Sequence, residues 1–114
     1  MKISEKDIVI IRKILAEIDY LSKSVQGLNR DSFLKNEDKK RIVSMTLINI
    51  GELTRHVSMG LKEQVTDIPF RRLLDLRNIA AHGYHSLKFD HVWYMIESHV
   101  PQLKVQLQKL IAEV

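Results

Sequence analysis

Apolar residues recur three and four positions apart along nearly the whole chain, and no convincing run of alternating apolar and polar residues interrupts them. That period belongs to the α-helix, so the chain is expected to be all-α, a four- to five-helix up-and-down bundle. Ile8, Ile11, Ile14, Leu15, Ile18, Leu21 and Val25 form one stripe, with Ser4 and Asp7 resembling a capping box before it and Gly27 marking its end. Asn29 to Asn36 reads as a loop or a frayed turn. Asn36 then caps a second helix, predicted from Glu37 to about Met59 and stopped by Gly60. Its positions Ile42, Val43, Met45, Thr46, Ile50, Leu53 and Val57 spread over more than a third of its circumference, as expected of a central helix with several neighbours. Gly51 lies inside it, where Gly costs about 1 kcal/mol against Ala; it is either simply tolerated or marks a close helix crossing. A third helix opens at Asp67-Ile68-Pro69, with Asp67 as cap and Pro69 in the first turn, and Gly83 ends it. A fourth covers Lys88 to about His99 with Val92, Trp93 and Ile96 inward. Pro101 starts or kinks a last helix carrying Leu103, Leu107, Leu110 and Ile111.

The 114 residues read as one domain, 1–114, large enough to bury a core but too small to enclose a deep substrate cavity alone. A homodimer would relieve that limit. The chain has no Cys, which excludes disulfides and thiolate metal sites. No apolar run approaches a membrane span, and the acids Glu5 and Asp7 stand where a secretory signal would be apolar. A cytoplasmic protein without a membrane partner is expected. A net charge of +4 fits a polyanionic partner, although 18 basic against 14 acidic residues is a mild bias. Lys39-Lys40-Arg41 and Arg71-Arg72 are short basic clusters of the kind more often found as solvated helix faces than as binding patches.

The chemistry is concentrated in Arg77-Asn78-Ile79-Ala80-Ala81-His82-Gly83-Tyr84. An Arg that grips a phosphate and a His that moves a proton near neutral pH are the minimum equipment for cleaving RNA without a metal. On a helical wheel Arg77 falls between Leu73 and Phe70 in the apolar arc, so it must either be paired, for instance with Glu52 of the central helix, or line a site. Asn78 and His82 lie on the polar arc four residues apart, which lets the amide orient the imidazole. At the helix end the dipole favours imidazolium, and the ordinary alternative is a capping His. Arg77 and His82 are about 140° apart around a straight helix, so they do not share one face. A long Arg side chain and an unwound end at Gly83, or a two-fold partner supplying a second copy of each group, would bring them together. Ile79, isolated on the polar side, would suit such an interface or is a single exposed apolar residue. His82, His85, His91 and Asp90 match no strong metal-ligand spacing, and neither metal nor cofactor is expected. The turns of a P-loop, a Rossmann site or a Ser-His-Asp hydrolase are missing.

Arg77-x-x-x-x-His82-x-Tyr84, with Asn78 directly after the Arg, resembles the signature of the HEPN superfamily, specifically its HepT-like toxins. Ile50-Gly51-Glu52-Leu53 resembles the family's Gly-Glu segment, Ile68-Pro69-Phe70 its helix-opening Ile-Pro-aromatic, and Leu87, Val92 and Trp93 its tail after the Tyr; the likeness runs over roughly residues 8 to 111. Phe70 stands where Trp is common. The resemblance implies a HEPN-like homodimer with a composite cleft, acting as a metal-independent endoribonuclease and as the toxin of a toxin-antitoxin pair. It implies Arg77 and His82 as catalytic residues, Asn78 as their support, and Tyr84 as the acceptor of AMP from a nucleotidyltransferase antitoxin. The alternative is a noncatalytic subunit whose groove binds a nucleotide or docks the nucleotidyltransferase.

Overall fold

The computed structural model describes residues 2–112, without the side chains of Leu76, Ile79, Ala80, Ala81, His82 and Ser86. Six α-helices follow one another: α1 (Glu5–Ser24), α2 (Arg30–Leu34), α3 (Glu37–Arg55), α4 (Met59–Gln64), α5 (Phe70–His82) and α6 (Phe89–Ala112), with a 3₁₀ turn at Tyr84–Ser86 before α6. Among the described residues there is no strand. The all-α expectation holds. The central helix is also as expected: α3 packs most extensively on α5 and α1, and more lightly on α2.

Local chemistry sets the helix starts. The Ser4 hydroxyl accepts from the Asp7 amide at 3.2 Å, and the Asn36 side chain accepts from the Lys39 amide at 3.0 Å, each satisfying one of the donors a helix start leaves free. Ile11, Ile14, Ile18 and Leu21 of α1 meet Val43 of α3 and Leu107 of α6 in a core from which water is excluded.

Several expectations require correction, among them the opening of the third helix, which starts at Phe70 with Asp67 in the turn before it and Pro69 outside the first turn. The stretch Asn29 to Asn36 contains α2, started by a reciprocal capping box in which Asn29 and Ser32 exchange bonds of 2.8 and 2.9 Å. Its Phe33 is fully buried, with its ring 5.1 Å from that of Trp93. A five-residue helix burying one large side chain shows no period, so the sequence pattern is silent there. The helices expected on either side of Pro101 are a single helix, α6. Proline removes one backbone bond, but Val100 and Leu103 are buried on either side of it and hold the apolar face in line.

A further correction is that α3 stops at Arg55, and Gly60 sits inside the first turn of α4 instead of ending the helix before it. The cause is a contact across 51 residues: the Asp7 carboxylate accepts from the Ser58 amide at 2.9 Å and from the Ser58 hydroxyl at 2.5 Å. This holds Ser58 in an extended conformation, from which its hydroxyl caps α4 at Leu61. Burial pushes the Asp7 carboxyl up, but the hydrogen bonds from Ser58 and Ser4 outweigh it and leave it below the ordinary value.

The composition of the α3 core face also differs from the apolar list. Met45 is 58% exposed, whereas Ser44 and Thr54 are buried along with the expected Thr46. Each hydroxyl donates to the carbonyl four residues before it at 2.8 Å, which satisfies the polar atom within the helix. Short side chains make this face thin and let neighbouring helices come close.

Candidate active site at the crossing of two helices

The helices α3 and α5 come close together at Gly51. A Cβ placed there would overlap Cβ of Arg77 and stand 2.7 Å from its Cγ and 3.0 Å from the carbonyl oxygen of Leu73. Of the two readings of Gly51, the structure selects the close crossing: only a hydrogen fits beneath the stem of Arg77. Glu37 of α3 meets Tyr84 just beyond the far end of α5, so the two helices run in opposite senses. Their shared seam carries much of the residue set singled out from sequence.

Arg77 points along the apolar side of α5, as its wheel position requires. Its Nη2 forms an ion pair with Glu52, and its Nη1 donates to Asn78 Oδ1 at 3.0 Å. The side chain is 30% exposed and its Glu52 partner 34%, so the pair sits in the seam with one edge toward solvent. The third donor, Nε, is buried and has no hydrogen-bond partner among the described residues. An unmade bond at a buried donor costs about 1–3 kcal/mol. Glu52 also lines a shallow cavity of about 320 Å³ with Glu17, Asn49, Leu53 and His56.

Asn78 therefore accepts from the guanidinium through Oδ1; its expected contact with the imidazole falls on the His82 side chain. The His82 side chain and that of Ile79 lie outside the described residues. The backbone places His82 as the last residue of α5. Gly83 follows with φ +141°, a region that L side chains rarely adopt, and turns the chain sharply away from the helix.

That turn carries Tyr84 onto the start of α3. Its hydroxyl donates to Glu37 Oε2 at 2.6 Å, and Glu37 is also paired with Lys40 at 2.8 Å. The Arg41 guanidinium lies over the phenol ring, 4.4 Å from its centroid, and Phe89 packs beside it at 5.1 Å. Burial and then the bond to Glu37 push the phenol pKa up; the bonds from Lys40 and then Tyr84 hold the Glu37 carboxyl down. Glu37, Lys40 and Arg41 are site neighbours that the motif did not reveal. The sequence signal was the basic run Lys39-Lys40-Arg41, which looks the same in a solvated helix face.

A larger cavity, about 530 Å³, lies elsewhere, between the start of α5 and α6, lined by Asp67, Arg72, Leu73, His99 and others. It contains none of the motif residues. Among the described residues no group of three His, Asp or Glu side chains is arranged to hold a metal ion. No described helix is long and apolar enough to cross a membrane.

The family model described as Ribonuclease HepT-like matches residues 14–110. The chain belongs to the HepT-like ribonuclease family. Its activity class is that of an endoribonuclease. Three curated relatives match over nearly all of their own length. A protein of Thermococcus cleftensis assigned as ribonuclease HepT is 24% identical over 110 residues, covering 96% of this chain and 98% of its own. Two assigned as RNases, from Caldanaerobacter subterraneus subsp. tengcongensis and Methanocaldococcus jannaschii, are each 23% identical, covering 89% and 92% of this chain and 90% and 97% of their own. No solved structure matches the chain.

Proposed function

We propose that the chain is a toxin that cleaves RNA without a metal, using Arg77 and His82 in a cleft completed by a second copy, and that Tyr84 is a site of neutralisation. The observation that carries this reading is Arg77 itself: a guanidinium held in a helix seam by Glu52 and Asn78, its Nε left without a described partner, five residues before a His at the helix end. A charge fixed in that way is ready for a phosphate.

In the reaction, the ribose 2′-oxygen attacks the adjacent phosphorus and its proton passes to a base. The phosphorane collapses as the 5′-oxygen leaves and takes a proton from an acid, giving a 2′,3′-cyclic phosphate and a 5′-hydroxyl. His82 transfers protons, and Arg77 stabilises the phosphorane charge. Asn78 keeps the guanidinium aimed. Two copies of His82 facing one cleft would divide the acid and base roles, which one imidazole cannot fill at the same moment. A nucleotidyltransferase partner would join the Tyr84 oxygen to the α-phosphorus of ATP, releasing pyrophosphate. AMP on Tyr84 then puts bulk and negative charge beside the motif and competes with the substrate phosphate.

The deciding experiment is cleavage of mixed RNA in chelator-treated buffer by the wild type and His82→Ala, with product ends identified. Loss of cleavage at an almost unchanged melting temperature, and cyclic phosphate ends in the wild-type digest, are expected. Retained activity in His82→Ala overturns the assignment. Sedimentation tests the shared cleft: a monomer that still cleaves at the working concentration removes it. Intact mass after coexpression with a neighbouring nucleotidyltransferase, wild type against Tyr84→Phe, tests the modification.

A further inference from the structure

A ladder of aromatic contacts leads from the core to one surface cation. Phe33, fully buried, meets Phe89 at 6.2 Å between ring centroids; Phe89 meets Tyr84 at 5.1 Å; and the Arg41 guanidinium caps Tyr84 at 4.4 Å. The Tyr84 ring is anchored in position, because its hydroxyl is bound to Glu37, which Lys40 holds in turn. Lys40 Nζ also lies 5.2 Å from the Phe89 ring centroid, which ties the same layers together.

Arg41 differs from Lys40 in one respect. Lys40 spends its charge on Glu37, whereas Arg41 forms no ion pair among the described residues. Its side chain is exposed, and its guanidinium carbon lies over an aromatic ring. A guanidinium held over a ring in this way loses little further side-chain freedom on binding, and its planar group and N–H donors stay open to solvent. Such a group stacks on a nucleobase and donates to a phosphate in the same pose.

Position adds the rest. Arg41 is ten residues before Gly51 on α3, about 15 Å along the helix axis from the Arg77 crossing. It therefore stands by the far end of the α5 motif, beside Tyr84 and away from the Arg77 crossing.

We propose that Arg41, supported by Tyr84 and Phe89, is an RNA-binding residue of a flanking subsite, holding a nucleotide of the single-stranded substrate a few positions from the scissile phosphate. This rests on RNA as the substrate. It makes Arg41 a determinant of substrate affinity, outside the bond-breaking step, and gives the Glu37–Tyr84 bond the role of holding the stacking ring.

The test uses a fluorescently labelled single-stranded oligoribonucleotide, with binding followed on the His82→Ala background so that it is not obscured by cleavage. Arg41→Ala is expected to weaken binding about 10-fold, the scale of one lost stacking contact, and to lower the slope of log affinity against log salt by about 0.7, the share of one phosphate on a single strand. In the cleaving protein KM rises and kcat is nearly unchanged. Arg41→Lys keeps the salt slope but binds more weakly, because an ammonium lacks the stacking plane. Because Arg41 is exposed, its variants remain folded, and their circular dichroism melts are recorded alongside. Unchanged affinity and salt slope in Arg41→Ala overturn the subsite, as does a fall in kcat with KM unchanged. An Arg41→Lys protein indistinguishable from wild type overturns the stacking role. Should the His82→Ala protein bind no RNA and the wild type cleave none, the RNA reading fails instead, and the two failures are separate.

Discussion

Asp7 and Arg77 are both charged groups turned toward the protein's interior, and both reach a partner in or just beyond α3. Their surroundings differ. Asp7 is 2% exposed, and its two carboxylate oxygens accept from the Ser58 amide and hydroxyl. Arg77 is 30% exposed, is paired on its two terminal nitrogens, and keeps a buried Nε with no described partner. The first arrangement serves stability, since every lone pair that matters is used and solvent is shut out. The second keeps part of the guanidinium exposed at the surface of a helix seam, where a ligand charge can reach it.

The largest effect that would sharpen this contrast is on catalysis. Arg77→Ala and His82→Ala should each lower RNA cleavage by about 10²- to 10⁴-fold, equivalent to roughly 3 to 5 kcal/mol of barrier, while Asp7→Ala leaves kcat/KM of the folded fraction close to wild type. An Asp7 variant that folds yet loses cleavage to the same extent would erase the distinction.

Stability should show the opposite ranking. Asp7→Ala strands the Ser58 donors and is expected to cost about 1–3 kcal/mol in chemical denaturation, more than Glu52→Gln, whose partner keeps an edge in water. Glu52→Gln should instead reduce cleavage by loosening Arg77. Equal stability losses would mean that the Arg77 pair is as structural as Asp7.

Gly51→Ala joins both effects in one substitution. The added methyl overlaps the Arg77 stem, so the α3–α5 seam must open, at about 1–3 kcal/mol in stability and with a fall in cleavage. A stable, fully active Gly51→Ala protein would show that Arg77 needs no close seat.

The smallest effect is the pH dependence that Asp7 contributes. Its folded pKa lies below the ordinary carboxyl value of 3.8, so its stabilisation is complete above that value and is lost as pH falls through the lower folded one. Wild-type stability should fall across that acid range more steeply than that of Asp7→Asn, measured by thermal melts at stepped pH. Parallel curves would remove Asp7 as the cause.

Much of this was legible in the chain. Helix starts at Ser4 and Asn36 depend on a side chain three residues from its donor, and the apolar stripes depend on a local period, so both could be read without tertiary information. Arg77 was recognisable as anomalous for the same reason, a charge at an apolar wheel position. The end of α3 was not legible, because Ser58 is held by Asp7 across 51 residues. Nor was α2, whose single buried Phe33 leaves no period, or the exposure of Met45, which only the placement of α1 and α5 decides.

The site divides along the same line. By itself the sequence determined the all-helical class, the family, and the motif from Arg77 to Tyr84, because residue type and local spacing suffice for those. Only the tertiary structure decided which group each motif residue touches. Asn78 serves Arg77, Gly51 seats it, and Glu37, Lys40 and Arg41 surround Tyr84. Those pairings depend on how closely two antiparallel helices approach, a distance set by the thinness of the α3 face and by the backbone turn at Gly83.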